Sequence, residues 1–441
     1  MTIARPTGVV LGCLALCAAA AGQDWPQWRG PNRDAKATGF TAPKTWPKEL
    51  TQKWKITVGD GVATPALVGD KLFVFTRQDG NEVIRCVNAA DGKTVWEDKY
   101  ATGGVQGPAG GFTGPRCSPA VADGKVVTLG VHSVLSCYDT AGKKLWRKDD
   151  FKDALPRFYP ASSPMIVEGL CIVQLGGENS GAIIAYDINS GDEKWKWTGD
   201  GTTYASPVLL TVGGTKVIVA ETAGKIVCLG LDGKPLWDTK FKVRYNASTP
   251  VVEGQTIIYS GAGLGAGTKA VKVEKKGDML TANELWSNPD TAVQFNTPVV
   301  KNGLVFGVSD RNTFFCISME DGKTAWTAPA PQGAAGGGPG GGRPGGPPPG
   351  GPPPGGGGRP GGGRMGGGMG GGGYGSVVDA GSVLFALTPA GKLVVYEPSG
   401  KEFKQLANYK VAEAGTYAYP IISGNRVFIK DRDSLTLWTI D

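Results

Sequence analysis

Residues 206–237 read SPVLLTVGGTKVIVAETAGKIVCLGLDGKPLW, and this stretch decides the fold. It opens with a small residue and a proline, after which an apolar run leads to a glycine turn and a second apolar segment. A third apolar segment ends at Asp232-Gly233, and a fourth carries Trp237. Short apolar runs separated by turn residues predict four consecutive β-strands within about 30 residues.

The same unit recurs along the chain. A seventh copy starts near Ser376 and has lost both the proline and the tryptophan, and an eighth begins at Tyr419-Pro420 and stops at Asp441, one strand short. A repeat of about 43 residues with four short strands is typical of a β-propeller blade. The five other copies keep both residues and run from Thr64-Pro65 to Trp96, Ser118-Pro119 to Trp146, Ser163-Pro164 to Trp195, Thr249-Pro250 to Trp286 and Thr297-Pro298 to Trp326.

The strand missing from the eighth copy stands at the other end of the chain. Residues 50–56 (LTQKWKI) have the pattern of a fourth strand, with Trp54 as its tryptophan, yet they precede the first copy. Pairing this strand with the C-terminal copy would leave no unpaired edge. We therefore predict an all-β fold, an eight-bladed β-propeller of four-stranded blades over residues 50–441, whose last blade is closed by an N-terminal strand.

The residues that recur in register have structural tasks. The tryptophan offers a large apolar plate for packing one sheet on the next, the Asp-Gly pair suits a tight turn, and the proline stands where the strand ladder has not begun. Corresponding positions on different blades should lie farther apart than the roughly 7 Å that a disulfide allows between Cα atoms. Four cysteines in one register are therefore predicted to be buried free thiols against the tryptophan layer: Cys86, Cys137, Cys228 and Cys316. Ala185 and Leu437 take this register in blades three and eight, and a bond between Cys117 and Cys171 stays open.

The repeat resembles the pyrroloquinoline-quinone (PQQ) repeat of quinoprotein alcohol dehydrogenases and of the propeller subunit of the bacterial outer-membrane assembly machine. Its most specific parts are the endings at residues 91–96 (DGKTVW) and 321–326 (DGKTAW). Residues 24–33 (DWPQWRGPNR) also look like the mature start of secreted bacterial PQQ-like propellers. The resemblance implies the propeller fold, which carries enzymes and non-enzymes alike.

The resemblance also implies where a cofactor would sit. In the dehydrogenases, PQQ lies in the central funnel, covered by a disulfide between adjacent cysteines and held against calcium by acidic and amide side chains. This sequence has no adjacent cysteine pair and little room for a cover. We interpret the chain as a non-catalytic, protein-binding scaffold in cell-envelope assembly, without a catalytic residue, metal or cofactor. The alternative is a PQQ- or small-molecule-dependent oxidoreductase, with PQQ and calcium as its cofactors.

Other catalytic sites find little support. The single histidine, His132, falls in the turn between two strands of blade two, where an exposed side chain is expected. One histidine cannot make a multi-histidine metal site. The formal net charge of +7 falls to about +3 for the predicted folded body, which excludes a dedicated nucleic-acid binder.

The chain ends and one internal tract complete the organisation. Residues 1–22 are predicted to be a signal peptide, with Arg5 before a short apolar run, and lipidation at Cys17 stays open. Export to the periplasm or cell exterior is therefore expected, with no transmembrane segment in the mature chain. Residues 23–49 form an N-terminal extension. Residues 329–375 are nearly all glycine and proline, which predicts a disordered loop insertion between blades six and seven.

The candidate functional surface is one mouth of the propeller. Loops that enter the innermost strands cluster at one end of a propeller, and here they carry aromatic, amide and cationic side chains. Such residues are enriched at protein interfaces, and aromatic faces also suit planar or sugar-like ligands. The proposed binding residues are Arg116, Arg157, Tyr159, Tyr204, Arg244, Tyr245, Asn246, Phe295, Asn296, Tyr417 and Tyr419. Phe112, Phe158 and Thr203 belong to the same loops. That these residues only pack the rim of the funnel is an open alternative.

Overall fold

The structure, a computed structural model, describes residues 22–263, 266–331 and 373–441. Within them the strands form eight antiparallel sheets of four strands each. Blade one contains β2 (Ala66–Val68), β3 (Lys71–Gln78), β4 (Asn81–Asn88) and β5 (Thr94–Ala101). Blade two contains β6 (Ala120–Ala122), β7 (Lys125–Leu129), β8 (Leu135–Asp139) and β9 (Lys144–Lys148). Blade three contains β10 (Met165–Val167), β11 (Leu170–Leu175), β12 (Ala182–Asp187) and β13 (Glu193–Trp197).

The remaining blades repeat this order. Blade four contains β14 (Val208–Val212), β15 (Thr215–Glu221), β16 (Lys225–Gly230) and β17 (Pro235–Lys240). Blade five contains β18 (Val251–Glu253), β19 (Thr256–Gly261), β20 (Gly267–Lys276) and β21 (Met279–Asn288). Blade six contains β22 (Val299–Lys301), β23 (Leu304–Val308), β24 (Thr313–Ser318) and β25 (Thr324–Pro329). Blade seven contains β26 (Ser376–Asp379), β27 (Leu384–Thr388), β28 (Lys392–Tyr396) and β29 (Gln405–Lys410). A 3-10 turn, Gly107–Ala109, lies before blade two.

The eighth blade joins the two ends of the chain. Its strands are β30 (Ile421–Ser423), β31 (Arg426–Lys430), β32 (Ser434–Thr439) and the N-terminal β1 (Thr51–Thr57). Strand β1 pairs antiparallel with β32, from Thr51 opposite Thr439 to Thr57 opposite Ser434. The predicted eight-bladed propeller and its closure by an N-terminal strand are therefore confirmed.

A tryptophan layer joins consecutive blades. In six blades the indole N–H donates to a backbone carbonyl of the next blade, as Trp195 does to Leu231 at 2.7 Å. The turn glycine of the next blade lies on the ring: Gly233 has φ +80°, and a Cβ there would stand 2.6 Å from the Trp195 ring. Glycine is therefore required both for the turn and for the close approach of two blades.

The four cysteines of the shared register lie directly opposite these tryptophans, as Cys228 does opposite Trp237. Ala185 and Leu437 take the same position opposite Trp195 and Trp54. All six cysteines of the described residues, Cys117 and Cys171 included, are buried and free. The predicted free thiols are confirmed, and burial raises the pKa of the Cys86 thiol to about 11.

The small residue before each proline has a task that the sequence did not reveal. The backbone N–H of this residue in one blade donates to the side-chain hydroxyl of the same residue in the next, as Ser163 donates to Ser206 at 2.9 Å. The bonds run from Thr64 through blades two to six at 2.8–3.1 Å, and Tyr419 of blade eight donates to Thr64 at 2.9 Å. This belt of hydroxyls satisfies backbone donors where no strand partner exists.

The N-terminal extension enters the central channel and contacts every blade. Residues 24–37, here called the channel segment, pair with the innermost strands of blade one at Leu67, blade two at Val121 and blade seven at Asp379. Trp25 is fully buried, and the rings of Trp28 and Tyr419 of blade eight stand edge to face with centroids 5.9 Å apart.

Two buried arginines hold the channel segment against blades three, four and six. Arg29 donates to the carbonyl of Pro298 at 2.6 Å, and Arg33 donates to the carbonyls of Pro164 and Pro207, the latter also at 2.6 Å. The acceptors are the prolines of the repeat, whose carbonyls meet the channel. Desolvation lowers the pKa of Arg33 to about 9. The channel is thus filled by the protein's own chain.

The ends of the glycine-rich tract belong to the propeller. Pro329 closes strand β25 opposite Thr313, and Tyr374 precedes β26. The predicted disorder of the tract falls on residues 332–372, which lie outside the described residues, as does the signal peptide up to residue 21. In the part of the chain that the structure describes, no helix has the length and apolar character needed to cross a membrane.

Candidate functional site: an aromatic mouth

Seven aromatic side chains form a continuous chain of ring contacts at one end of the propeller. They come from the loops that connect consecutive blades and lead into the innermost strands. Successive ring centroids lie 4.6–5.8 Å apart, and all seven side chains are half-buried. The seven side chains as a set are here called the aromatic ring. In order of contact they are Phe112, Tyr417, Tyr374, Phe295, Tyr245, Phe158 and Tyr204.

Sequence reasoning missed one member of the aromatic ring. Tyr374 stacks on Phe295 at 4.6 Å and stands edge to face with Tyr417 at 5.2 Å. It was counted with the glycine-rich tract because only glycines surround it. Its spacing from Ser376 could have identified it. Tyr374 lies two residues before Ser376, and Phe295 and Tyr417 also lie two residues before the residue of their blade that joins the hydroxyl belt.

Arg116 lies among these aromatic side chains. Its Nη2 donates to the carbonyls of Phe112 at 2.7 Å and Ala109 at 3.2 Å, which ties it to the loop that enters blade two. Tyr374 and Tyr159 are close enough to act on its charge. Desolvation by burial lowers the pKa of Arg116, against the opposing influence of these neighbours.

Tyr159 and Tyr204 are braced by hydrogen bonds. The Tyr159 hydroxyl accepts the N–H of Gln106 at 3.0 Å, and the Tyr204 hydroxyl donates to Glu178 at 3.0 Å. His132 stands edge to face with Tyr159 at 5.5 Å and is half-buried, so the expectation of an exposed turn histidine was wrong. The imidazole is covered by the Tyr159 ring and by Gly103, where a Cβ would stand 3.1 Å from its Nε2.

Two arginines lie on the rim of the mouth. Arg157 and Arg244 are exposed, and each guanidinium lies 5.4–5.5 Å from the ring centroid of the aromatic residue that follows it, Phe158 or Tyr245. Neither has an ion-pair partner among the described residues. The rim therefore presents positive charge above an aromatic surface.

Three of the predicted binding residues lie below the surface. The amide of Asn246 donates to the carbonyl of Thr222 at 3.1 Å, and that of Asn296 donates to Val308 at 2.7 Å. Tyr419 is 6% exposed, and its hydroxyl donates to the carbonyl of Thr297 at 3.2 Å. These side chains hold the loops and the channel segment, while the other predicted residues lie at the mouth.

The mouth does not offer the donor set that calcium and PQQ would require. The side-chain amides of Asn246 and Asn296 are turned toward backbone carbonyls. Asp60 is held by Thr113 and lies 3.4 Å from Arg432. No group of three or more acidic, cysteine or histidine side chains that could hold a metal ion occurs in residues 22–263, 266–331 and 373–441. Aromatic and cationic side chains cannot replace the hard oxygen ligands that calcium takes.

The ionisable side chains of Lys430 and Glu221 are buried beneath the mouth. The ammonium of Lys430 donates to four backbone carbonyls at 2.6–3.3 Å, among them Gly61 and Asp431, and desolvation lowers its pKa to about 8. Glu221 is fully buried beside Asn246, and desolvation raises the pKa of its carboxyl well above the usual value. Both groups are covered by protein, so they serve the fold and not a ligand.

The sequence of this chain is similar to that of a known protein family. The family model of the outer membrane protein assembly factor BamB matches residues 44–196 and 80–328. The assembly factor BamB of Burkholderia pseudomallei is 26% identical over 297 residues, which are 63% of this chain and 69% of that protein. BamB of Xanthomonas campestris pv. campestris is 33% identical over 108 residues, 23% of this chain and 26% of that protein.

Solved structures share the fold. BamB from Moraxella catarrhalis superposes with a TM-score of 0.57 at 16% identity, over 88% of this chain and 97% of that one. Quinohemoprotein alcohol dehydrogenase from Comamonas testosteroni superposes with a TM-score of 0.61 at 14% identity, over 95% and 80% of the two chains. At these identities the likeness concerns the fold alone, which is common to an assembly factor and an enzyme.

Proposed function

The chain belongs to the family of the outer membrane protein assembly factor BamB, and from this we propose that it is a non-catalytic scaffold that docks a protein of outer-membrane assembly. The docking surface is the mouth. Its residues are Arg116, Arg157, Tyr159, Tyr204, Arg244, Tyr245, Phe295, Tyr374 and Tyr417. The remaining part of the proposal is export to the periplasm, which the predicted signal peptide and the family support.

The observation that carries the proposal is the aromatic ring. Seven half-buried rings in mutual contact offer a rigid apolar surface at low entropic cost, flanked by the arginines of the rim. Aromatic residues and arginine dominate the energetics of protein interfaces.

Site-directed photo-crosslinking tests the docking surface. A photoreactive phenylalanine analogue replaces Tyr245 or Phe295 at the mouth, and Val95, which is 54% exposed on the outer strand of blade one, is the matched control. In cells that naturally express the chain, the mouth positions are expected to crosslink one defined envelope protein that the control does not. Identical crosslinks from all three positions, or none from the mouth, would contradict the proposal.

A further inference from the structure

Arg116 is a half-buried cation without a counter-ion among the described residues. Its Nη2 has two carbonyl acceptors, while its Nη1 is buried and has no hydrogen-bond partner among the described residues. No carboxylate of those residues lies within ion-pair distance of Arg116; Asp60, the acid that acts on it from farther away, is bound to Thr113 and lies 3.4 Å from Arg432. The protein itself therefore leaves this guanidinium incompletely satisfied.

An incompletely satisfied buried charge is costly to a fold. Removing a guanidinium from water without a matching anion loses solvation free energy that carbonyl acceptors return only in part. Arg116 stands two residues before Ser118 of the hydroxyl belt, where Tyr204, Phe295, Tyr374 and Tyr417 stand in other blades. An aromatic residue would therefore fit the pattern at position 116, so the pattern of the mouth does not explain why this residue is charged.

The rim adds charge of the same sign. Arg157 and Arg244 are exposed and lack an acidic partner within the described part of the chain. Arg157 and Arg244 lie over aromatic faces, and guanidinium groups bind carboxylates in a planar, bidentate way. Charge complementarity across an interface selects the partner and steers its approach.

We infer that the mouth recognises a partner segment in which a carboxylate lies next to an aromatic or large apolar residue, and that Arg116 binds the carboxylate. The apolar residue packs on the aromatic ring, and Arg157 and Arg244 attract the acidic segment. A rotamer change of a neighbouring side chain, of the kind that often accompanies binding, gives the carboxylate access to Nη1. The inference rests on the proposed function, since it names the chemistry of the segment that docks at the same mouth.

Peptide selection tests this chemistry with a defined probe. A phage library of random dodecapeptides is selected on the mature chain, on Arg116→Met and on Arg311→Met, the last being an exposed arginine outside the aromatic ring that serves as the matched control. Wild type and Arg311→Met are expected to enrich peptides with Asp or Glu beside an aromatic residue. Exchange of that acid for its amide should weaken binding to wild type about 10-fold, as loss of a charge-assisted hydrogen bond does.

The Arg116→Met variant separates the inference from the proposed function. It is expected to keep the aromatic preference, lose the acidic one and bind acid and amide peptides equally, while Arg116→Lys restores part of the difference. Aromatic peptides without acid enrichment on wild type would overturn the inference and leave the docking surface standing. Peptides that bind wild type and a Tyr245→Ala, Phe295→Ala variant equally would overturn both. A melting temperature within a few degrees of wild type confirms that each variant is folded.

Discussion

The buried carboxyl of Glu221 makes the stability of the folded protein depend on pH. Its carboxyl is fully buried, and neither oxygen has a hydrogen bond of good geometry among the described residues. Desolvation raises the folded-state pKa of this carboxyl well above its ordinary value of 4.5. Below pH 4.5 the group is neutral in both states. Between pH 4.5 and the folded-state pKa, the carboxyl is ionised in the unfolded chain and neutral in the folded protein. Each pH unit in this range lowers the free energy of unfolding by about 1.4 kcal/mol.

Glu221→Gln should therefore stabilise the protein increasingly as the pH rises above 4.5 toward the folded-state pKa of Glu221. The substitution removes the ionisation of the unfolded state and keeps a neutral side chain of similar size. Urea unfolding at several pH values measures the difference, with the exposed Glu284→Gln as control. A gain that does not grow with pH, or a loss at every pH, would show that Glu221 is ionised in the folded protein.

Residue identity alone could not reveal which members of the mouth are buried. Asn246, Asn296 and Tyr419 share loops with exposed neighbours, and their burial follows from the turn of each loop toward the belt or channel. Tyr374 was hidden by the glycines before it. Register relative to the hydroxyl belt, not residue type, decides which side chains reach the mouth.

The position of the channel segment inside the propeller was not predicted from the sequence. The sequence predicted only an N-terminal extension there, and arginines are rarely buried without a partner. The acceptors are carbonyls of the repeat prolines in distant blades, such as Pro207 for Arg33, and no local pattern shows them. By contrast, the strands of the blades followed from the repeat, because each copy carries its own turn and packing residues.

Arg33→Ala should cost about 3 kcal/mol of unfolding free energy, since it leaves buried carbonyls of blades three and four without their donor. Lys36→Ala is the matched control on the same segment. Lys36 pairs with Glu253 at 2.9 Å, but both side chains are partly exposed, and such a pair contributes less than about 1 kcal/mol. Equal losses for the two variants, measured by denaturant unfolding, would mean that Arg33 does not fasten the channel segment.

At the scale of the whole molecule, the ring of blades is closed twice. Strand β1 completes blade eight, and the channel segment links the innermost strands of all eight blades from within. The repeat predicted the first closure, because the last copy lacked one strand. The result is a propeller with no free edge between the two chain ends and with an aromatic mouth at one end of the channel.

The measurement that tests the account most directly is the affinity of the mature chain for the envelope protein that crosslinks at the mouth. Tyr159→Ala, Tyr204→Ala and Tyr245→Ala together should weaken binding at least about 100-fold, because hot-spot aromatics carry most of an interface's energy. A matched triple variant truncates Val95, Met279 and Leu285, the large apolar side chains exposed at 54%, 52% and 47% on outer strands, and should bind as wild type does. Retained affinity in the folded mouth variant would contradict the claim that the mouth is the docking surface.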